Sequence, residues 1–564
     1  MTLSATGFQQ DKQWNWKNFW TVTWLCWLGQ WAFGYPASVI SVTLAQPSFL
    51  KYMKLVDESG VATEKAESYI GATSGLFQAG AVFGVIINSF IMDAYGRKAG
   101  TWFCVACSII GGAGCVGAVH IGMFIAFRLI AGMGSWAFLA LTSTYSAELA
   151  PPALRGFFTG QNGIGISIGY ALAAYVGLGF HGVGETAAQW RGPLGIALFF
   201  PIVMGAYVHF FVPESPRFLL LKGRAEEARE IVLDIHRVDS DPDQEYARSE
   251  FYQMQKQAEF DRAMVPTYWA MFTKKSYRKR TLIACYYAFL GQSLGNLVIN
   301  NYGPTLYGAL GFDTLAEIKL HVGWTTIGIP ANAFAACVVD RVGRKPLIIY
   351  GILGACSCLI VEAAIIANFA TPVPAVNPNS AALRAGVAML YLFLVAYSIG
   401  VDSTAFVYFG EIFPNHLRAK GVALAIATLG LTDLVYTEVA PTAFANVGWK
   451  FFLYFIIASA LGAALAAWIL PETKGIPLEE MAAVFGDKDE VIVFSENIHV
   501  DHNTHDLLVD VHTERAKSAD GAVTGTDKAN EEGSEVYRVA TEAGHQGHHV
   551  EHVGVREKKG SMDV

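Results

Sequence analysis

Twelve stretches of this chain are apolar on every side for the 20 or so residues that a helix needs to cross a bilayer. They run over 19–41, 69–92, 99–119, 122–142, 158–180, 193–212, 281–301, 320–339, 345–368, 385–408, 420–442 and 450–470. A helix of a soluble protein shows an apolar stripe and a polar face, and these runs show no polar face. No water serves the backbone inside a bilayer, so each run has to be a helix that satisfies its own amide groups. The fold class that follows is an all-α polytopic membrane protein with twelve transmembrane helices. Composition agrees, with 53% hydrophobic residues against 16% charged ones.

Basic residues orient the spans. The connections on one side include 217–280, with 13 Lys and Arg, plus Arg97, Lys98, Arg155, Arg341, Arg344, Lys345, Arg418 and Lys420. The other side carries basic residues singly, so the richer side and both termini are expected in the cytosol. No cleavable leader is read at the start, because Asp11, Lys12 and Lys17 precede an apolar run too long for one. The net charge of -8 belongs to the end of the chain, where residues 485–564 hold 17 Asp and Glu against 8 Lys and Arg. That tail has almost no aromatic residues and eight of the 14 His, so it is expected to be largely disordered after about 490. Its His545, His548, His549 and His552 read as solvated, and no metal site is expected. All eight Cys fall inside the spans and read as packing residues.

Three short charged motifs occur in the first half and recur in order in the second. Asp93-Ala-Tyr-Gly96-Arg97-Lys98 is answered by Asp340-Arg-Val-Gly343-Arg344-Lys345, Glu148 before Arg155 by Glu411 before Arg418, and Pro213-Glu214-Ser215 by Pro471-Glu472-Thr473. Repeats at a near-constant offset mean one module written twice, with six spans in each copy.

The motifs resemble the sugar porter branch of the major facilitator superfamily over roughly 19–485. The resemblance rests on both GRK loops, Arg128 with Gly132 and Gly134, Glu148 to Gly156, Pro213 to Ala228, Gln292 to Pro304, Glu411 to Gly421, and Pro471 to Glu480. Glu411-Ile-Phe-Pro with Arg418-Ala-Lys-Gly is most similar to fungal members. The resemblance implies two six-helix halves related by a pseudo-twofold along the membrane normal, a central substrate site, and alternating access by rocking of the halves. The chain then divides into a cytoplasmic N-terminus (1–18), a first half (19–212), a cytoplasmic helical linker (213–280), a second half (281–470) and a cytoplasmic tail (471–564). The duplicated motifs are expected to form a cytoplasmic gate. In it Arg97, Lys98, Arg155, Arg217, Arg344, Lys345 and Arg418 pair with Asp93, Glu148, Glu214, Asp340, Glu411 and Glu472.

Polar residues inside spans are retained only where they are paired or used. Gln292, Asn296 and Asn300 are spaced i, i+4, i+8, which on a continuous helix makes one stripe of amides, suited to sugar hydroxyls because an amide both donates and accepts. With Asn301 and Tyr302 they resemble the family's sugar-contact segment in the seventh span. The resemblance adds Gln161 or Asn162 in the fifth span, Phe406 in the tenth and Asp433 in the eleventh. Proton-coupled family members often carry an acid after the Gly-Tyr pair of the first span, and here Gly34-Tyr35 is followed by Pro36. Arg128 therefore lacks its usual partner, and Asp402 and Asp433 become the candidates for carrying a proton.

The function expected is transport of a hexose, pentose or similar polyol-like solute, with proton symport favoured over facilitated diffusion. Two alternatives stay open: a carrier of an acidic sugar or cyclic hydroxy acid with Arg128 reaching the carboxylate, and a nutrient sensor signalling through the tail. No enzyme chemistry, cofactor or nucleic-acid partner is expected. The partners are the solute, protons and the lipid bilayer, in all expectation that of the plasma membrane.

Overall fold

The computed structural model describes residues 14–57, 63, 65–184, 186–238, 241, 243–264, 266–309, 312–370, 380–495, 498–500, 507–512, 533–540 and 549–557. Twelve spans are formed. In the first half they are Trp16–Leu44, Ala66–Tyr95, Arg97–Val116, Ile121–Leu149, Arg155–His181 and Ala188–Phe211. In the second half the seventh span is Lys275–Gln292 continued by Asn296–Ala309, and the eighth and ninth are Thr314–Val342 and Arg344–Ile365. The tenth joins Ser380–Tyr397 to Ser403–Ile412 through a π-helical turn at Ser398–Asp402, and Arg418–Val447 and Phe451–Ile469 complete the set. Eleven of these are apolar enough to cross a membrane by composition alone. The first span is not among them. Its 29 residues hold five Trp, amphipathic rings that lower its hydropathy although its length is ample.

The turns that end the second and eighth spans explain why the duplicated motifs contain glycine. Gly96 and Gly343 sit at φ +98° and +102°, a region that a side chain rarely enters, and each directs the chain straight into the next span. Small residues also set how closely spans approach. Gly351 of the ninth span and Gly400 of the π-helical turn meet backbone to backbone, and a Cβ on either would fall on the other. Gly400→Val is therefore expected to prise the ninth and tenth spans apart and cost roughly 1–3 kcal/mol of stability. Thermal unfolding of detergent-purified protein tests this, and an unshifted midpoint would contradict it.

Between the halves, the second span packs on the eleventh and the fifth on the eighth, the two pairings that a pseudo-twofold exchanges. Four short helices, Pro216–Leu221, Ala225–Ile235, Glu245–Asp261 and Tyr268–Thr273, occupy the linker. The first three share a small apolar core of Phe218, Leu219, Leu220, Val232, Phe251 and Met254.

The tail departs from the expectation. Four strands, β1 (Ile498–Val500), β2 (Leu507–His512), β3 (Gly533–Ala540) and β4 (His549–Glu557), pair antiparallel in sequential order. Short Leu- and Val-rich stretches such as Leu507-Leu-Val-Asp-Val have residue types that a pleated strand accepts, a local signal that the low apolar content of the whole tail concealed. His545, His548 and the N-terminal 1–13 lie outside the described residues.

Candidate functional site

The charged motifs meet at the ends of the spans in two matching sets. Arg97 donates to both oxygens of Glu148, Nε to Oε2 at 2.8 Å and Nη2 to Oε1 at 2.6 Å. In the second half Arg344 grips Glu411 in the same way, at 3.1 and 2.7 Å. All four side chains are buried. Glu214 accepts from the backbone N–H groups of Arg97 and Lys98 at 3.0 and 3.2 Å, and Glu472 from those of Arg344 and Lys345 at 2.9 and 3.1 Å. Each acid thus caps the N-terminus of a span, where the helix dipole favours negative charge. Lys98 and Lys345 join through their backbones and not through the ammonium groups expected from sequence.

Other contacts tie one half to the other. Asp340 accepts from the N–H of Phe157 at 2.7 Å at the start of the fifth span, and Asp93 pairs with Lys420 at the start of the eleventh. Arg418 stands 3.8 Å from Glu148 across the same boundary. Arg217 binds Glu479 at 2.9 Å and donates to the carbonyl of Glu148. Burial works against the charge of Glu479, but the guanidinium groups of Arg217, Arg155 and Arg418 outweigh it and hold the carboxyl at about 2. Glu479 was not singled out from sequence, although it lies within the Pro471 to Glu480 motif.

Above this network a cavity lies between the halves. Phe33, Trp136, Ile166 and Tyr170 face it from the first half, and Tyr287, Gln292, Asn296, Tyr397, Asp402, Phe406 and Asp433 from the second. Of the residues picked from sequence, Gln292, Asn296, Phe406, Asp402 and Asp433 are brought together here. The amide stripe is not continuous. The seventh span breaks at Ser293–Gly295, with Gly295 at φ +83°, and helix restarts at Asn296, so the phase of an unbroken helix is lost. Asn300 is buried elsewhere, accepting from Ser38 Oγ of the first span at 3.4 Å. Asn301 is buried without a protein partner for its amide among the described residues, and Tyr302 donates to the carbonyl of Thr437 at 2.8 Å.

Gln161 and Asn162 do not line the cavity either. Asn162 accepts from Gln30 at 2.9 Å and donates to Ser146 at 3.2 Å, which ties the fifth, first and fourth spans together within one half. The aromatic walls were missed from sequence because an aromatic residue in a span looks the same whether it faces lipid, protein or solute.

Asp402 sits on the π-helical turn of the tenth span, a distortion that re-aims side chains. Its Oδ2 accepts from Asn332 Nδ2 at 3.1 Å. Asn332 also donates to Ser167 of the other half at 2.7 Å and accepts from Ser403 at 2.7 Å. Asp433 is buried, and its Oδ2 has no hydrogen-bond partner among the described residues. Arg128 lies apart from the central cavity. It donates to the carbonyls of Thr73 and Pro36 at 3.3 and 3.0 Å and stacks 4.2 Å over Phe77, beside a second cavity lined by Pro36, Ser108 and Cys115. Two carbonyl dipoles and a ring face take the place of the carboxylate that its usual setting would supply.

Relatives and structural neighbours share this architecture. The MFS-type transporter criB of Aspergillus cristatus is 28% identical over 83% of this chain and 96% of its own length. A probable quinate permease of Aspergillus fumigatus is 29% identical over 81% of the chain and 85% of its length, and a high-affinity glucose transporter of Kluyveromyces lactis is 28% identical over 74% and 78%. The proton:xylose symporter XylE bound to 6-bromo-6-deoxy-D-glucose superposes with a TM-score of 0.72 at 22% identity, over 84% of this chain and all of that one. Its inward-open conformation superposes at 0.61, over 83% and 99%. Residues 22–485 match the family described as Sugar (and other) transporter, and the chain belongs to that family of major facilitator transporters, with the two six-helix halves its repeats required.

Proposed function

We propose that this protein carries a hexose, pentose or similar polyol-like solute across the plasma membrane by alternating access with proton symport. The observation that supports it most is the cavity between the halves, where the amides of Gln292 and Asn296 stand at a break in the seventh span beside aromatic walls. Amides meet hydroxyls, and ring faces cover the apolar side of a pyranose. Phe406 supplies part of that apolar wall. Asp402 and Asp433 are the groups proposed to take up and release the proton, in place of the acid missing beside Arg128. The paired networks of Arg97 with Glu148 and Arg344 with Glu411, together with Asp93, Arg155, Glu214, Arg217, Asp340, Arg418 and Glu472, form the proposed cytoplasmic gate, with both termini on that side.

Uptake of radiolabelled glucose and xylose in a transport-null cell tests this reading. A protonophore is expected to remove accumulation above the external concentration, and accumulation that survives it would sink symport. The quinate permease relatives favour a second reading, a cyclic hydroxy acid. The cavity argues against it, because Asp402 and Asp433 would face the substrate carboxylate while Arg128 lies outside. Excess quinate is accordingly expected to leave glucose uptake unchanged, and inhibition equal to that by unlabelled glucose would reverse the preference.

A further inference from the structure

Neutral sugars do not explain why two carboxylates occupy one cavity. An amide at the position of Asp433 could donate and accept hydrogen bonds with hydroxyls, whereas an ionised carboxylate only accepts and is costly to bury. Among the described residues no Lys, Arg or His lines the cavity to offset the charge. Aromatic side chains line the cavity beside the acids instead: Phe33 and Trp136 pack edge to face at 4.7 Å, and Tyr287 and Phe409 stand 5.5 Å apart in the second half. Aromatic faces carry negative potential, so this lining adds to the field of the acids and attracts a cation. The two acids also differ. Asp402 is held by Asn332, which bridges to Ser167 of the other half, while Asp433 presents an oxygen that no protein group engages among the described residues.

We propose that the preferred cargo is cationic, an amino sugar or other amine-bearing polyol whose ammonium sits on Asp433 within the aromatic walls. Asp402, tied through Asn332 to both halves, is left to carry the proton. This rests on the cavity being the substrate site of the preceding section and narrows the class of solute it takes. Hydroxyls of the ring meet Gln292 and Asn296 as any sugar would, and the amine supplies the counter-charge that the lining lacks. A carboxylate-bearing solute is repelled by the same field.

The test is binding and uptake by the purified full-length protein in lipid vesicles at a pH where the amine is protonated. Glucosamine, its neutral near-isostere glucose, and N-acetylglucosamine, in which the amine is acylated and uncharged, are compared. Glucosamine is expected to bind about tenfold tighter or better than either neutral sugar, the size of one charge-assisted contact. That ratio is expected to collapse in Asp433→Asn and to survive in Asp433→Glu. Equal binding of glucosamine and glucose by the unmodified protein, a comparison that needs no variant, would overturn the proposal. So would a preference that persists in Asp433→Asn. Uptake of neutral sugar with no preference for the amine removes this inference and keeps the sugar-carrier reading, whereas failure of every sugar to bind removes both.

Discussion

Arg344→Ala is expected to shift the protein strongly toward the state open to the cytosol and to cut net uptake. Arg344 and Glu411 are both buried and joined by two hydrogen bonds, with Thr473 Oγ1 donating to the same acid at 2.7 Å. Removing the guanidinium leaves a buried carboxylate without its cation, which costs about 3–5 kcal/mol in the closed arrangement. Opening exposes Glu411 to water and relieves the cost, so the balance moves by roughly 10²–10⁴-fold toward the inward-open state. Distances between spin labels on the cytoplasmic ends of the second and eleventh spans measure it directly. Arg97→Ala should act alike, since Glu148 is held in the same geometry and also faces Arg418 of the other half. An unchanged distance distribution in both variants would show that the networks only mark topology.

The second large effect is expected at Asp402. Asn has the shape of the protonated acid and cannot ionise, so Asp402→Asn should abolish accumulation against a gradient and its sensitivity to a protonophore. Exchange of labelled for unlabelled solute should persist. Asn332→Ala is a companion case, expected to displace the pH profile of uptake, because it removes the group that ties Asp402 to Ser167 of the first half. The charged network at the span ends cannot mimic this pH dependence through Glu479. Its folded pKa of about 2 lies below the ordinary 4.5, so its contribution is complete above 4.5 and lost only as pH falls toward 2. Uptake measured near neutral pH therefore reads the cavity acids. Retained, protonophore-sensitive accumulation in Asp402→Asn would move the proton to Asp433.

The charged motifs were the most legible part of the site because their chemistry is local. Glycine at a positive φ, an acid at a helix start and an Arg beside an acid follow from short-range rules, and Gly96, Glu214, Arg97 and their counterparts obey them. Even so, Lys98 and Lys345 were misread as side-chain partners, since sequence does not tell which atoms of a residue a neighbouring acid will reach. Gln292 and Asn296 both line the cavity while Asn300 does not, because the helical phase that joins them in sequence breaks at Gly295. Phe33, Trp136, Tyr170, Tyr287 and Tyr397 carried no signal that separates them from any other aromatic residue in a span.

Sequence alone determined the number of spans, the doubling of the module and the positions of the charged motifs. Those features arise from forces that act along the chain: the length of apolar helix that a bilayer demands, and capping and turn preferences over a few residues. Only the tertiary structure decided which polar groups share a cavity, that Asn332 joins Asp402 to the other half, and that Arg128 stands apart from both acids. These depend on the rotation of each helix about its axis and on where helices break. Such choices are set by packing between segments hundreds of residues apart, and no local stretch of sequence encodes them.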